Sequence, residues 1–554
     1  MKHLHHLHVL VLGLGTSGLA MARWCVRNGA QVTVADTRAH PPQLDALRCD
    51  VPSAAFVSGP LGAHLVDGST VRALYRSPGL LPAELAPVLD AARAMGLPVG
   101  GELDLFAQAL ADLAQADGEG VKEFVAEEIA EEVTAEEATK VADIQVAPTE
   151  QAVEMGPPLG YHPKVLAITG TNGKTTVTAL TGHIVACAGK TVAVAGNIGP
   201  SLLDTLAMHL DANTLPQVWV LELSSFQLDD AIRFAPTAAT VLNLTQDHLD
   251  WHGSMDAYTA AKARVFGTQG LMVLNREDPA VAAMLPPPVK VKLQRPQQRA
   301  HQTFGADLPQ RPGDWGLEHV NGMAWLVRAQ EADETRKRSR TAEQEALHIQ
   351  RLIPADALRI RGQHNATNAL AALALGSAAG CALGPMLYGV RDYGGEPHRV
   401  QPIAVVQDVE YFDDSKGTNV GATVAALNGL GAERRVVIIL GGVGQGQDFS
   451  PLAAPVARHA RAVVLIGRDA PLIRAALEGS GVPLDHAQSM QEAVALATQR
   501  AHAGDAVLLS PACASFDMFD GYEHRARVFC AVVAELAAEV GDISMDSAVL
   551  EDNA

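Results

Sequence analysis

The sequence predicts an α/β protein of three domains, each built on a mostly parallel sheet. Three observations carry this. Short apolar runs recur down the chain and end in small residues, among them Leu7–Leu12, Val165–Ile168, Val436–Leu440, Ala462–Ile466 and Ala506–Leu509. Runs this short, apolar throughout instead of alternating, suit strands buried on both faces of a parallel sheet. Helical patterns separate them, the order expected of β-α-β units. A length of 554 residues leaves room for three or four domains at about 100–200 residues each.

The first domain is expected over residues 1–111. Leu7–Leu12 reads as a strand, Gly13-Leu-Gly15-Thr16-Ser17-Gly18 as a turn opening a helix, and Gln31–Ala35 as a second strand ending at Asp36. This is the G-x-G-x-x-G pattern with an acid about 20 residues on, which holds a diphosphate at a helix N-terminus. Two readings stand side by side: an NAD-binding domain, or a Rossmann-like domain whose turn takes another diphosphate while Asp36 meets a hydrogen-bonding group. Leu74-Tyr-Arg-Ser77-Pro78-Gly79 reads as a further strand end.

Residues 112–160 change character. Twelve acids stand against two lysines in 117–154, which is half of the net charge of −20. High charge with few large apolar residues predicts a disordered tether. Negative charge overall argues against nucleic acid as a partner. The six cysteines form no C-x-x-C pair, which fits a reducing cytoplasm. Neither a secretory signal nor a membrane-spanning run is expected.

The central domain is expected over 161–395. Val165–Ile168 runs into Gly170-Thr171-Asn172-Gly173-Lys174-Thr175-Thr176 and then an apolar helix. Backbone N–H groups of such a turn and the helix dipole make an anion site. Lys174 can reach a β- or γ-phosphate, and the Thr175 hydroxyl can ligate Mg²⁺. The strict P-loop has four residues between its glycines, whereas this turn has two, so nucleotide phosphate is predicted with a shortened loop. Glu222 ends the run Val218-Trp-Val-Leu, and Thr240–Leu244 leads to Asp247-His248-Leu-Asp250. Lys174, Glu222 and His248 thus fall at strand ends, where open parallel sheets collect ligands. Glu222 is placed like the acid that holds Mg²⁺ beside ATP. Imidazole is unusual beside magnesium, so His248 serves a second metal or a phosphate, or is a hydrogen-bonding loop histidine. Lys262 follows on a helix capped by Ser254 and reads as solvated. About 290–350 the chain is rich in Pro, Gln and charge, and a solvated loop insertion is expected there.

The third domain is expected over 396–540, also Rossmann-like, with a tail at 541–554. Glu410-Tyr-Phe-Asp413-Asp414-Ser415-Lys416-Gly-Thr418-Asn419 reads as a strand end feeding a helix. Three domains, two with phosphate turns, suggest a ligase or kinase.

Seven ordered motifs carry a closer identification: Gly-Thr-Asn-Gly-Lys-Thr-Thr, Leu-Glu-Leu-Ser-Ser-Phe-Gln-Leu, Asp-His-Leu-Asp, Gln-His-Asn-Ala-Thr-Asn, Pro-His-Arg, Asp-Ser-Lys-Gly-Thr-Asn and Ser-Pro-Ala-Cys-Ala-Ser-Phe-Asp. Together the chain resembles the Mur ligases, and the last two motifs with the Gly-x-Gly start resemble the branch that adds D-glutamate. The resemblance implies a P-loop-like central domain and a cytoplasmic, monomeric enzyme of peptidoglycan precursor synthesis that uses ATP and Mg²⁺. Its substrates would be UDP-N-acetylmuramoyl-L-alanine and D-glutamate, without nucleic acid or membrane insertion.

The resemblance also implies roles. Gly170–Thr176, with Asn368, Arg399 and Asp414, would serve ATP. Thr175, Glu222 and His248 would serve Mg²⁺. Lys262 matches a lysine that the family carbamylates, turning a cation into an anion beside the metals. Thr16, Ser17, Asp36, Thr37, Ser77 and Asn197 would hold the UDP-linked substrate, Asp36 meeting uracil or ribose. Lys416, Thr418, Ser515, Phe516 and Tyr522 would form the D-glutamate pocket. One departure stands out in Gly441-Gly-Val443-Gly-Gln445-Gly. The family usually has an acid at the position of Val443 and a carboxylate-binding lysine at that of Gln445. The rivals are another amino-acid specificity in the family, L-alanine or a diamino acid, and an NAD-dependent oxidoreductase. The Asp-Asn-Pro-Arg motif of the diamino-acid enzymes is absent from the sequence.

Overall fold

The computed structural model describes residues 3–115, 160–289, 296–332, 347–432 and 434–540. The expected tether therefore lies outside the described residues except at its two ends, and the tail at 541–554 lies outside them entirely. Two compact units form: Met1–Lys164 with Ala195–Trp219 and Phe226–Ala235, and Val165–Val194 with Val220–Ser225 and Pro236–Ala554.

The first unit holds β1 (His8–Leu12), β2 (Gln31–Asp36), β3 (Ala55–Ser58), β4 (Ala73–Arg76) and β5 (Val99–Gly100). They pair in parallel in the order β3-β2-β1-β4-β5. The strand order reverses between β1 and β4, where an open sheet leaves a crevice for ligand. Leu10, Leu12, Leu74 and Val88 pack into one core on this sheet. The turn after β1 is crowded: Ser77 Oγ donates to Gly13 O at 2.9 Å, and a Cβ on Gly18 would lie 2.0 Å from that same oxygen. Only glycine fits at 18.

Buried polar groups of this unit are spent on structure. Arg76, 5 % exposed, meets Asp230 at 2.6 Å and Asp229 at 3.3 Å. Glu102, equally buried, accepts from Leu203 N at 3.1 Å. That N–H belongs to the first turn of the helix Leu202–Asp211, which has no partner for it within the helix. Burial pushes the Glu102 carboxyl up, and the N–H groups and the Ser17 hydroxyl that bind it oppose that push.

The second sheet joins β6 (Lys164–Thr169), β7 (Val192–Gly196), β8 (Val218–Glu222), β9 (Ala238–Val241), β10 (Leu271–Asn275) and β11 (His301–Phe304). Their order is β11-β10-β9-β6-β8-β7. β6 with β9, β9 with β10 and β10 with β11 are parallel.

The solvated loop expected about 290–350 is corrected by the structure. Besides β11, its described parts hold β12 (Trp315–Val320), β13 (Met323–Glu331) and the start of β14 (Leu347–Pro354), a three-stranded antiparallel sheet. Trp315, Leu317, Leu326, Val327 and Ala329 are buried on it. The hairpin between β12 and β13 turns at Asn321-Gly322, both with positive φ, the pair that matches strand twist in a two-residue turn. Polar residues on its other face gave this segment the composition of a loop.

The last sheet holds β15 (Gln401–Val406), β16 (Val409–Asp413), β17 (Val436–Gly441), β18 (Ala460–Ile466), β19 (Leu484–His486) and β20 (Ala506–Leu509). Its order is β15-β16-β20-β17-β18-β19, parallel except for the edge hairpin β15-β16. The expected class, α/β with mostly parallel sheets, is what the chain adopts. All six cysteines are free thiols. Among the described residues no helix is long and apolar enough to cross a membrane.

Candidate active site

β6 is buried along its length after Lys164 and delivers the chain to Gly170. The turn depends on two glycines. Gly170 has φ +153°, and a Cβ there would sit 3.0 Å from the Leu242 side chain. Gly173 has φ +82° and caps the helix Lys174–Cys187 in the left-handed region. A Cβ on Gly173 would meet Asn368 Oδ1 at 3.0 Å, so Asn368, from the helix Gln363–Ala378, lies against the turn. Lys174 Nζ folds back to Gly170 O at 3.0 Å and Thr171 O at 2.9 Å. These carbonyls hold the ammonium over the loop where a phosphate would lie.

The loop is clamped from several sides. Asn172 N donates to Asn243 Oδ1 at 2.8 Å, and Asn243 Nδ2 donates to Asn172 O at 3.1 Å. The Thr171 hydroxyl lies 3.0 Å from Tyr258 OH and accepts from Thr245 N at the same distance. Tyr258 and Lys262 share the helix Met255–Ala263, capped by Ser254 as expected.

Lys262 is not the solvated lysine that its surroundings in the sequence suggest. It is 2 % exposed, and its Nζ donates to Gly170 O at 2.9 Å and Thr169 Oγ1 at 3.2 Å. Burial first, then the Lys174 charge, press its ammonium well below the usual lysine range, against Asp247 and Glu222. Glu222 is buried at the end of β8. His248 is exposed, with φ +53°, and starts the short helix Leu249–His252. Its Nε2 is 3.5 Å from Asp247 Oδ2. Burial lowers its pKa most, and Lys174 and Lys262 add to that against Asp247.

Residues after 396 complete this constellation. Arg399 Nη2 donates to Thr175 Oγ1 at 2.7 Å. Arg399 is bracketed by His398 and Val400, both with positive φ, and His398 Nδ1 lies 2.6 Å from Asp413 Oδ2. Asp414 is buried and accepts from Ser510 Oγ at 2.6 Å. Burial pushes its carboxyl up to about 7, while Ser510 and Arg399 oppose the shift. Lys416 lies over the Tyr522 ring, Nζ 5.4 Å from its centroid. Its ammonium is pressed down by burial and by Arg399, with Glu222 opposing. Lys174, Lys262, Arg399 and Lys416 therefore share one field, which Glu222 and Asp247 only partly offset at Lys174 and Lys262 and which a polyphosphate would offset further.

The other expected amino-acid-pocket residues sit at neighbouring strand ends. Thr418 N donates to Lys416 O, and Gln447 Nε2 to Thr418 O. Val443 and Ala514 exchange backbone hydrogen bonds of 2.8 and 3.0 Å, which lays the glycine run beside Ser515. Ser515 is buried, Phe516 is 73 % exposed, and Gln445 is exposed with φ +51°.

The residues expected at the UDP end belong to the first unit. Thr16 and Thr37 are exposed, Ser17 binds Glu102, Ser77 binds Gly13, and Asn197 lies in the turn after β7. Asp36 is fully buried and accepts from Leu14 N at 2.7 Å and from both arms of Arg38 at 2.8 Å. Burial favours its neutral form, but Arg38 and these N–H groups outweigh that and hold the carboxyl at about 2.

Sequence reasoning missed Asn243, Thr245, Asp247, His252 and Arg525 around these sites. His252 Nε2 sits 2.9 Å from Ser225 Oγ, and burial, helped by His248, lowers its pKa to about 4. Its i, i+4 spacing from His248 on one short helix was the available signal.

Three family models match the chain in order: a Mur ligase MurD-like N-terminal domain over 7–101, a Mur ligase middle domain over 168–376, and a Mur ligase glutamate ligase domain over 398–513. A UDP-N-acetylmuramoylalanine–D-glutamate ligase from Polaromonas is 64 % identical, the match covering 98 % of this chain and all of the relative. Ligases of the same name from Albidiferax ferrireducens and Ralstonia nicotianae are 65 % and 54 % identical, over 98 % and 96 % of this chain and 98 % of each relative. The crystal structure of UDP-N-acetylmuramate–alanine ligase from Thermotoga maritima shares the fold at a TM-score of 0.50 and 17 % identity, over 96 % of this chain and all of the other. Glycine-bearing turn, buried lysine and full-length likeness agree: the chain belongs to the Mur ligase family.

Proposed function

We propose that this chain is the ATP-dependent ligase that joins D-glutamate to UDP-N-acetylmuramoyl-L-alanine, a cytoplasmic step of peptidoglycan precursor synthesis carried out by a monomer. The observation that supports it most is the cluster of Lys174, Lys262, Arg399 and Lys416 around the Gly170–Thr175 turn, in a chain so like the D-glutamate ligases.

A carboxylate is a poor electrophile, and phosphorylation gives it a leaving group. ATP transfers its γ-phosphoryl group to the alanyl carboxylate. The D-glutamate amine attacks the acyl phosphate, and the tetrahedral intermediate expels inorganic phosphate and forms the amide. Catalysis of this kind is positioning plus neutralisation of spread negative charge. The turn's N–H groups and Lys174 cradle the phosphates. Arg399 and Lys416 are near enough to Lys174 to lower its pKa, and so face the same charge. Asn368 and Asp414 serve the nucleotide, and Lys416, Thr418, Ser515, Phe516 and Tyr522 the amino acid. Thr16, Ser17, Thr37, Ser77 and Asn197 hold the UDP-linked substrate, and Asp36 stiffens the turn beside them.

Mg²⁺ fits the residues present. Among the described residues no group of three or more His, Cys, Asp or Glu side chains could hold a metal alone. Magnesium does not require one, since it binds through one or two carboxylates, waters and substrate phosphates. Thr175, Glu222 and His248, with Lys262 as its carbamate, would hold it, and when bound it neutralises the phosphoryl oxygens. On this reading residues 1–111 serve the UDP-linked substrate, 161–395 ATP and 396–540 the amino acid.

Phosphate release from ATP and UDP-N-acetylmuramoyl-L-alanine tests the reading. Release should depend on D-glutamate and not on L-alanine, a diamino acid or NADH; turnover indifferent to D-glutamate rejects it. Gln445 makes a finer prediction. A neutral amide gives up a charge-assisted hydrogen bond to substrate carboxylate, worth roughly 1.5–3 kcal/mol when enclosed and less when exposed. Gln445→Lys should lower the KM for D-glutamate by about 3- to 30-fold, and an unchanged KM removes position 445 from the pocket.

A further inference from the structure

The phosphate turn touches residues far along the chain in a way the proposed chemistry does not use. Asn419 caps the helix Val420–Gly431, its Oδ1 accepting from Ala422 N at 2.8 Å. With that oxygen committed, its NH₂ group faces the other way and donates to Asn172 Oδ1 at 3.0 Å. Asn172 is the middle of the turn, and its backbone is held on both sides by Asn243. The side chain of Asn172 is thus the one part of that residue left to reach outward, and it reaches the helix cap.

The helix makes room for it. A Cβ on Gly421 would lie 2.9 Å from Asn172 Nδ2 and 3.1 Å from Thr245 Oγ1. A Cβ there would displace the Asn172 amide, the end of a flexible side chain, and crowd Thr245, which is itself tied to Thr171 through its backbone N–H. Glycine within a first helical turn costs helix stability relative to alanine. Its presence at 421 is accounted for by the turn lying on the helix end. Helix Val420–Gly431 follows directly on Lys416 and Thr418, so its N-terminus is rigidly connected to residues of the proposed amino-acid pocket.

We propose that Asn419 and Gly421 are positioning residues that latch the phosphate turn, through Asn172, to the start of helix Val420–Gly431, setting the acyl phosphate in register with the incoming amine. This rests on reading 170–175 as the ATP turn and 396–540 as the amino-acid domain. The latch acts on geometry and not on charge: a misplacement of about 1 Å between two reacting groups costs on the order of 100-fold in rate. Neither Asn419 nor Gly421 touches a reacting atom.

Two variants and one cycle test it on the full chain. Asn419→Ser keeps a good helix cap but is too short to reach Asn172. Gly421→Ala favours the helix while displacing the Asn172 amide from Asn419. Each should lower kcat at least about 10-fold, with the KM for the UDP-linked substrate within about twofold and no loss of melting temperature. In an Asn172→Ala background, Asn419→Ser should cost no more than about twofold further, since coupled residues are non-additive. Either variant keeping kcat within twofold, or losses that multiply in the double variant, overturns the latch. Hydrogen exchange needs no substrate and separates the latch from the functional reading. Gly421→Ala should speed exchange in peptides covering 170–176. If it does not, the latch is wrong even when D-glutamate is the substrate. If it does while wild-type turnover ignores D-glutamate, the latch stands and the functional reading falls.

Discussion

Lys262→Ala should abolish ligation, with kcat falling about 10²–10³-fold, the size of effect seen when one preorganised charge is removed from a transition state. The lysine is buried with its Nζ on Thr169 Oγ1 and Gly170 O and the Tyr258 ring beneath it, 4.8 Å to the centroid. Desolvation and the neighbouring Lys174 both disfavour an ammonium there, against Asp247 and Glu222, and so favour the neutral amine. A neutral amine adds to CO₂ with loss of a proton, leaving an anionic carbamate that faces the Lys174 charge. The variant loses the hydrogen bonds of Nζ and leaves a cavity, so its melting temperature is measured beside its activity to separate this loss from unfolding. Formate or acetate should restore part of the activity by standing in for the anion. ¹³C-labelled bicarbonate should give a carbamate resonance in the wild type that Lys262→Ala lacks. Activity near wild type in the variant removes Lys262 from the site.

Much of this was legible along the chain because it is local. A strand, a glycine turn and a helix start within a dozen residues, so Gly170–Thr176 and Gly13–Gly18 declare themselves. Sheet order was not legible, but strand ends were, and Glu222 falls at one, whereas His248 lies seven residues past the end of β9, at the start of a short helix. What escaped was set by tertiary contact. Thr175 and Arg399 are 224 residues apart, and Asn172 and Asn419 are 247 apart. No periodicity joins them. Lys262 looked solvated because its neighbours on the helix are small and polar, and its burial comes from β6 and the turn after it. Asp36 showed its acid but not its partner, since Arg38 is two residues on and could as well have pointed to solvent. The segment about 290–350 failed for a different reason. Composition was weighed there ahead of the Asn321-Gly322 turn and the alternation in β13, which were the stronger local signals.

The charge distribution joins these parts. Cations are costly to bury, and Glu222 and Asp247 offset only part of the burial that presses Lys174 and Lys262 down, so substrate anions would add to the balance. Two carbonyls of its own loop take hydrogens of Lys174. Thr175 Oγ1 likewise takes a hydrogen bond from Arg399, a contact that phosphate and metal would compete for. Nucleotide should therefore stabilise the protein strongly, by about 2.7 kcal/mol at a hundredfold excess over Kd.

Arg525→Met should raise the KM for D-glutamate at least about 10-fold while leaving that for ATP within about twofold. Arg525 is 1 % exposed on the helix Tyr522–Val540. Its Nη2 donates to Ser415 O at 2.7 Å and its Nη1 to Cys513 O at 3.1 Å. Those carbonyls belong to two loops, the one carrying Lys416 and Thr418 and the one carrying Ser515 and Phe516. Burial lowers the guanidinium to about 10, with Cys513 and Asp413 resisting, so it remains a cation at neutral pH. Methionine roughly keeps the volume but leaves both carbonyls unsatisfied, at about 1–3 kcal/mol each. The loops then lose one of the ties between them, keeping Ala512 N on Gly417 O at 3.0 Å and Ser510 Oγ on Asp414 at 2.6 Å, and the pocket loosens on the side Arg525 held. Arg525→Lys, keeping the charge but a single point of donation in place of the fork, should fall between wild type and Arg525→Met. Equal KM values for D-glutamate in all three would mean that the two loops hold their spacing without Arg525, through Ala512 N on Gly417 O and Ser510 Oγ on Asp414.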